Sequence, residues 1–440
     1  MRKAHVRLLS LVLLAVLSYS AVVISTGKPS TPQPLTLYER NIVTAEPSGL
    51  KIHARLRVWG YNTETQTYEN IWTVEGISYS SVAIGNVDRN DTDREIVAVT
   101  RRKIRVGSKS YHEIYFHVYK EGVSGVWKES PGVEDPTYWF SEVTISDLDE
   151  DGLNEIVMVT ERHLVVYRYN CDTEEFEIVC SWNSSTFAEE HLGAQEELHL
   201  QSVTVGDVNS TSSGVEILVS GYVLRRIDST PVKENKGFVF VFNKDAGLIA
   251  WTGVEAYLED QTLRVGDLDN DGYLEICSTG SVKIGTDEQE YYQSYILVWN
   301  RKLELIVKYM VFETTEEPWT HLDVGELNST YPGEEIALGS ADPDLIILYG
   351  FSEEENNLVE YKRLELDYYR VTINNVYIAD SDGDGSNEVV VSGYGSEETQ
   401  GTYGRSGRFY LEVFSAALSS EWRRIGGERG EMEVWYAAIG

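Results

Sequence analysis

The chain has 440 residues, 42% of them hydrophobic, enough for one large core or several small ones. Its 37 basic residues against 71 acidic ones leave a formal charge of −34. Such a chain repels phosphate backbones and anionic lipid surfaces, so nucleic-acid binding is disfavoured while cationic partners and divalent metals are favoured. Cys171, Cys180 and Cys277 are too few for a disulfide framework and read as buried small apolar residues. In a predicted hairpin Cys171 falls opposite Phe176 and Cys180 near Tyr167, so no bridge is expected.

From the N-terminus, Arg2, Lys3 and Arg7 precede the apolar run 8–17, and Ser18 and Ser20 sit where a signal peptidase cuts. The weakly polar run extends to Ser25. Residues 1–25 therefore read as a signal peptide or as an N-terminal membrane anchor with its basic flank in the cytoplasm. Either way the rest of the chain is exported, secreted or held at the cell surface. Residues 26–50 read as a linker and lead-in, and the domain proper spans 51–440.

Six segments then share one pattern. They are SVAIGNVDRNDTDREIVAV from Ser81, EVTISDLDEDGLNEIVMV from Glu142, SVTVGDVNSTSSGVEILV from Ser202, TLRVGDLDNDGYLEICST from Thr262, HLDVGELNSTYPGEEIAL from His321 and NVYIADSDGDGSNEVVVS from Asn375. A seventh, YAAIG, starts at Tyr436. The starts lie 61, 60, 60, 59, 54 and 61 residues apart, the mark of a repeat architecture.

Each copy alternates apolar residues, passes through an Asp/Asn/Gly-rich loop and ends in a β-branched run, which reads as a hairpin. A second hairpin lies between copies. One strand carries an aliphatic–aromatic pair: Val58-Trp59, Val118-Tyr119, Val166-Tyr167, Val241-Phe242, Val298-Trp299, Leu348-Tyr349 and Val413-Phe414. The other carries a single aromatic: Trp72, Trp127, Trp182, Trp251, Tyr309, Tyr361 and Trp422. Four strands per repeat make one blade, so the expected fold is all-β, a seven-bladed β-propeller of four-stranded blades with these aromatics packed between them. The first outer hairpin precedes the first inner pair, and its inner strand is the last in the chain. The last blade is thus closed by N- and C-terminal strands, which removes exposed sheet edges. Only six second strands can be counted, so this blade reads as one strand short and the chain as truncated at Gly440.

Three loops follow the pattern D-x-D-x-D-G-x-x-E: Asp147, Asp149, Asp151, Glu155; Asp267, Asp269, Asp271, Glu275; and Asp380, Asp382, Asp384, Glu388. Alternate carboxylates on a tight loop point at one centre, the Gly permits the sharp turn, and the carbonyl of Leu153, Tyr273 or Ser386 offers a further oxygen. Hard oxygen donors in this number suit Ca²⁺. An EF-hand places its bidentate Glu at position twelve between helices, so the Glu at position nine between strands excludes that motif. The remaining loops are one residue longer and weaker: Asn86, Asp88, Asn90 with Glu95; Asp207, Asn209, Thr211 with Glu216; Glu326, Asn328, Thr330 with Glu335. Asn90, Asn183, Asn209 and Asn328 also fit the N-x-S/T acceptor pattern.

The copies resemble FG-GAP or VCBS-type repeats, those of integrin-α-like N-terminal propellers, over roughly residues 51 to 440. The resemblance implies calcium ligation at the twelve acidic side chains of the three full loops. The Gly-Ala-Pro that trails the family's motif is absent: Thr100, Thr160, Ser220-Gly221, Thr279-Gly280, Gly339-Ser340 and Ser392-Gly393 stand there. Integrin-style ligand binding is therefore not implied.

The loops on the other face of such a ring collect Tyr138, Trp139, Trp319, Tyr368, Tyr369 and Trp435, with Arg101, Arg102, Lys103, Arg105, Arg225, Arg226 and Lys236. An aromatic and polar rim suits a protein or glycan ligand. The catalytic patterns HExxH, GxSxG, CxxC and Walker-type loops are absent. The expectation is a binding or adhesion module rather than an enzyme. The alternatives are a secreted carbohydrate-active enzyme of polysaccharide-lyase type and a structural surface component.

Overall fold

The computed structural model describes residues 41–46, 54–88, 93–106, 109–135, 141–209, 214–227, 230–258, 262–286, 289–341, 343–366, 371–395, 408–426 and 436–439. The expected export segment lies outside them, as do Asn90, Thr211, Tyr138, Trp139, Tyr368, Tyr369 and Trp435.

The apolar/polar alternation produces seven antiparallel sheets, each with its strands in near-sequential order from A at the centre to D at the rim. Blade 1 comprises Tyr79–Gly85, Glu95–Val106, Lys109–Tyr119 and a rim strand split into Lys128–Glu129 and Val133–Asp135. The split falls at Pro131, which has no N–H for the ladder. Blade 2 is Ser141–Ser146, Glu155–Thr160, His163–Asn170 and Glu175–Asn183; blade 3 is Glu196–Gly206, Glu216–Ile227, Thr230–Phe242 and Leu248–Val254. Blade 4 is Leu263–Gly266, Glu275–Thr286, Gln289–Trp299 and Leu305–Thr314; blade 5 is Thr320–Gly325, Glu335–Ala341, Asp344–Ser352 and Asn357–Glu365. Blade 6 is Val371–Ala379, Glu388–Gly395, Arg408–Phe414 and Ser420–Gly426. Each A strand touches the A strand of the next blade, and the last touches the first, so the ring is a closed seven-bladed β-propeller.

Blade 7 corrects the expectation of a missing strand. It is ordered Tyr436–Ile439, Asn41–Glu46, Arg55–Asn62, Thr67–Glu75, and has its four strands. The B strand is Asn41–Glu46, part of what the sequence suggested was a lead-in. Val43 faces Val58 on one side and Ala438 on the other. Ile42 lies opposite Trp59 just as Ile156 lies opposite Tyr167 in blade 2. The segment Asn-Ile-Val-Thr-Ala is a copy of the Glu-Ile-Val runs at Glu95 and Glu155 with Asn41 in place of the Glu.

Seven apolar clusters fill the seven gaps between blades; Val157, Leu164 and Val166 of blade 2 meet Leu198, Ile217 and Phe240 of blade 3, for example. D-strand aromatics pack on C-strand aromatics of the next blade, as expected: Trp72 on Tyr119 at 5.1 Å, Trp182 on Phe242 at 5.0 Å, Tyr309 on Tyr349 at 5.3 Å and Trp422 on Trp59 at 5.8 Å between centroids. Trp251 departs from this pattern: it remains 42% exposed, with the helix Ser184–His191 covering one side through Phe187. Cys277 is buried, but Cys171 and Cys180 are only partly so; all three are free thiols.

In blades 1 to 4 a polar residue in or just before the A strand reaches the next blade's backbone. Val143 N–H donates to Ser81 Oγ (3.2 Å), Val203 to Glu142 Oε2 (2.8 Å), Leu263 to Ser202 Oγ (3.0 Å) and Leu322 to Thr262 Oγ1 (2.6 Å). Each bond satisfies a backbone donor that no strand pairs, since adjacent A strands are not in one sheet.

Candidate functional site: acidic turns and raised hairpins

In blades 1 to 6 the A strand ends at an A–B loop, so these loops share one face of the ring. In the three full loops the left-handed fourth position is taken by Glu150 (φ 60°), Asn270 (φ 59°) and Gly383 (φ 84°), and the sixth by Gly152, Gly272 and Gly385. The first Asp accepts two loop N–H groups: Asp147 from Asp151 and Gly152, Asp267 from Asp271 and Gly272, Asp380 from Gly383 and Gly385. The third Asp accepts the N–H of the residue two ahead, so Leu153, Tyr273 and Ser386 are fixed as turn residues.

These turns converge carboxylate oxygens. Asp147, Asp149 and Glu155 come within 4.8 Å of one another in blade 2; so do Asp267, Asp269 and Asp271 in blade 4, and Asp380, Asp382 and Glu388 in blade 6. Asp151, Glu275 and Asp384, the fourth carboxylates of the three sets, are not in these closest groups.

The loop Glu has a role that sequence reasoning missed. In all six A–B loops its Oε2 accepts backbone N–H groups of the loop: Glu95 from Val87, Glu155 from Leu148, Glu216 from Val208 and Asn209, Glu275 from Leu268, Glu335 from Leu327 and Asn328, Glu388 from Ser381. This clamp explains why the Glu persists in loops that have lost their aspartates. It also leaves Oε1 to find a cation or go without. Glu335 Oε1 is buried with no hydrogen-bond partner.

Burial raises the carboxyls at the heart of each loop. Glu275 is pushed up to about 7 by desolvation, with Asp269, Asp271 and Asp267 adding to the shift against the Leu268 N–H. Glu388 is likewise pushed up to about 7, chiefly by burial. Asp269 and Asp382 are raised for the same reason. Glu155 is raised by burial but opposed by Arg168. Arg168 donates from Nη2 to Asp149 Oδ2 at 2.5 Å and from Nε to Glu155 Oε1 at 2.7 Å. Lys120 reaches Asp88 and Glu95 in blade 1 in the same way.

The other face carries the B–C turns. In blades 1, 3 and 4 the B and C strands run 11 to 13 residues, whereas the B strands of blades 2, 5 and 6 have six to eight, so among the described residues three hairpins rise above the ring. Those of blades 3 and 4 are tied by Asn235, whose side chain accepts from Lys283 N–H and donates to Lys283 O, both at 2.9 Å. The basic residues expected here are largely matched by acids. Arg102 pairs with Glu113 and Glu129, Arg226 with Glu197, Lys236 with Glu196 and Arg225 with Glu234. Trp319 is 45% exposed. A groove of about 510 Å³ lies between the helix and the start of blade 3, lined by Arg162, Ser185, Glu189, Leu192, Glu196 and Glu197 among others. Asn183 caps the helix, accepting from Ser185 N–H, and its Nδ2 meets His163 Nε2 at 2.8 Å.

Fold and site together define a seven-bladed β-propeller with acidic turns on one face and raised hairpins on the other. No family model matches the sequence, and no curated protein matches it. Among solved structures, the chain is similar to a protein from Lactobacillus plantarum at 9% identity and a TM-score of 0.50, over 91% of this chain and 99% of that one. A proposed 6-phosphogluconolactonase from Bacteroides uniformis gives 10% identity and 0.43 over 88% and 99%. A functionally unknown protein from Desulfotomaculum acetoxidans gives 10% and 0.42 over 91% and 98%. At such identities the likeness speaks to the fold alone.

Proposed function

We propose that this protein is an extracytoplasmic calcium-binding propeller of FG-GAP or VCBS type that presents a protein- or glycan-binding face opposite its acidic loops. The observation that carries the reading is the convergence of carboxylates in blades 4 and 6, with Glu275 and Glu388 raised to about 7; in blade 4 no basic side chain among the described residues pairs with Asp267, Asp269 or Asp271. Clustered hard oxygen donors fit Ca²⁺ better than softer metals. Asp267, Asp269 and Asp271 with Glu275 would hold one ion, and Asp380, Asp382 and Glu388 with Asp384 another. Such an ion would supply charge neutralisation of the loop carboxylates and no reaction chemistry.

The ligand half of the proposal rests on the raised hairpins. Loops extended on one face of a repeat fold are where recognition concentrates. Their charges are internally paired, which favours a largely neutral polar ligand such as a glycan or a protein loop over a polyanion. Export rests on the residues 1–25, which also offer the chain's one expected link to a membrane. Nucleic acid is disfavoured by the charge of −34.

Calcium bound only to the native state must raise the melting temperature. A melting curve unchanged by EDTA at matched ionic strength removes the calcium claim. D269A should lose one ion by native mass spectrometry. A panel of glycans and polysaccharides tests the other face: binding without cleavage supports a binding module, whereas new reducing or unsaturated ends would show a carbohydrate-active enzyme.

A further inference from the structure

We infer that blades 1 and 2 carry their own cation, so that the loop at Asp147, although it has the full acidic pattern, is neutralised by Arg168 and takes no metal. This rests on the calcium reading for blades 4 and 6 and divides the three full loops into two kinds.

The geometry follows from strand register. In every blade the aromatic of the C-strand pair lies opposite the residue after the loop Glu: Tyr119 opposite Ile96, Tyr167 opposite Ile156, Trp299 opposite Ile276 and Phe414 opposite Val389. One residue further along the C strand is therefore the cross-strand neighbour of the loop Glu itself. That residue is Lys120 in blade 1 and Arg168 in blade 2, but Asn300 in blade 4 and Ser415 in blade 6. Only in the first two can a side chain reach back over the loop with a charge.

Arg168 does so with a fork. Its Nε meets Glu155 Oε1, the oxygen that the backbone clamp leaves over, and its Nη2 meets Asp149 Oδ2. Glu155 and Asp149 are two of the three residues whose oxygens converge in that loop. A planar guanidinium bonded to two carboxylates is a strong, geometrically fixed pairing. An ion at the same centre would have to displace it and leave a partly buried guanidinium beside a dication. Asp149 Oδ1 keeps no hydrogen-bond partner, so the neutralisation uses one oxygen of each acid. Lys120 repeats the arrangement with a single ammonium. It bonds Asp88 and stands 3.6 Å from Glu95 Oε1, again the oxygen left by the clamp. The same position thus supplies the same charge to the same oxygen in successive blades, by different residues.

The test is an ion count on the full protein, stripped by chelator and returned to excess Ca²⁺. Native mass spectrometry should find two ions on the unaltered protein and three on R168S, which gives blade 2 the residue that blade 6 uses. R168K should stay at two. Three ions on the unaltered protein, or two on a folded R168S, overturn the inference while leaving calcium binding in place. No ions on either removes the calcium reading as well, whereas D269A falling from two ions to one fixes the counted ions to the loops. Should R168S not fold, D149N/E155Q decides instead. Its count should remain two, and a drop to one overturns the inference.

Discussion

The centre of the ring offers the sharpest test of the fold's energetics. All seven A strands line a cavity of about 280 Å³, and Arg264 of blade 4 stands in it. Its Nε is 3.1 Å from Asp323 Oδ1 of blade 5 and its Nη1 is 3.6 Å from Glu142 Oε1 of blade 2. The second oxygen of each acid is already committed: Glu142 Oε2 accepts Val203 N–H of blade 3 and Asp323 Oδ2 accepts Ile378 N–H of blade 6, both at 2.8 Å. One ion triplet therefore bridges five blades. R264M would leave two carboxylates, 14% and 15% exposed, fixed by their backbone bonds and unable to turn away. Breaking a buried ion pair by removing one partner costs about 3–5 kcal/mol, most of it the burden of the unpaired charge. Urea unfolding in excess Ca²⁺, followed by tryptophan fluorescence, measures it. The defect should shrink at acid pH, where Asp323, already raised by burial, can take up a proton. The triple variant R264M/E142Q/D323N should recover most of the loss, because neutral groups carry no such penalty. A loss below about 1 kcal/mol for R264M alone would refute the claim that the triplet braces the ring.

Two further outcomes follow from the acidic face. In chelator, Glu275 and Glu388 at about 7 hold protons in the folded state that the unfolded chain, near 4.5, has released. Native stability therefore falls as pH rises from about 4.5 to 7 and is regained on acidification, by at most about 3 kcal/mol per group. Calorimetry at several pH values in EDTA should show that slope, and E275Q/E388Q should flatten it; a rise in melting temperature with pH would contradict it. Separately, a Cβ on Gly333 would lie 2.4 Å from the carbonyl oxygens of Asp267 and Leu268, so G333A must push blade 5 off the blade 4 loop. It should cost about 1–3 kcal/mol and weaken Ca²⁺ binding by titration calorimetry. Unchanged binding would show the loop to be independent of its neighbour.

Blade number and strand order were legible because the outer hairpins repeat their aliphatic–aromatic pair seven times, and packing between blades demands that pair in each copy. Asn41–Glu46 escaped notice for a physical reason. It joins Tyr436–Ile439 across nearly the whole chain, so no acidic loop precedes it to mark it as a B strand. The polar residue that opens the repeat in blades 1 to 4 was visible as Ser81, Glu142, Ser202 and Thr262, but its purpose lies in the next blade, which a linear pattern does not show. Arg168 and Lys120 were hidden likewise: they are 13 residues from Glu155 and 25 from Glu95 in sequence, and adjacent only through the B–C pairing. The split rim strand of blade 1 could have been read from Pro131 alone.

The acidic loop pattern therefore combines two requirements that the structure separates. The Glu is needed wherever a loop must turn between A and B strands, because its Oε2 supplies the acceptor for loop N–H groups that no strand pairs. The first and third aspartates also hold the turn by accepting loop N–H groups, and on the calcium reading they serve the charge as well. Once the Glu is buried, its second oxygen sets the question each blade answers differently. Blades 1 and 2 answer with Lys120 and Arg168. Blade 5 leaves Glu335 Oε1 unsatisfied and raises its carboxyl instead. Blades 4 and 6 place further carboxylates around the same spot, which without a cation only adds repulsion to a group already raised to about 7. In blade 7, where strands from the two ends of the ring meet, the position is filled by Asn41, whose neutral side chain asks for no counter-charge. The count of aspartates alone cannot rank these loops as metal sites; the residue that follows the C-strand aromatic must be read with it.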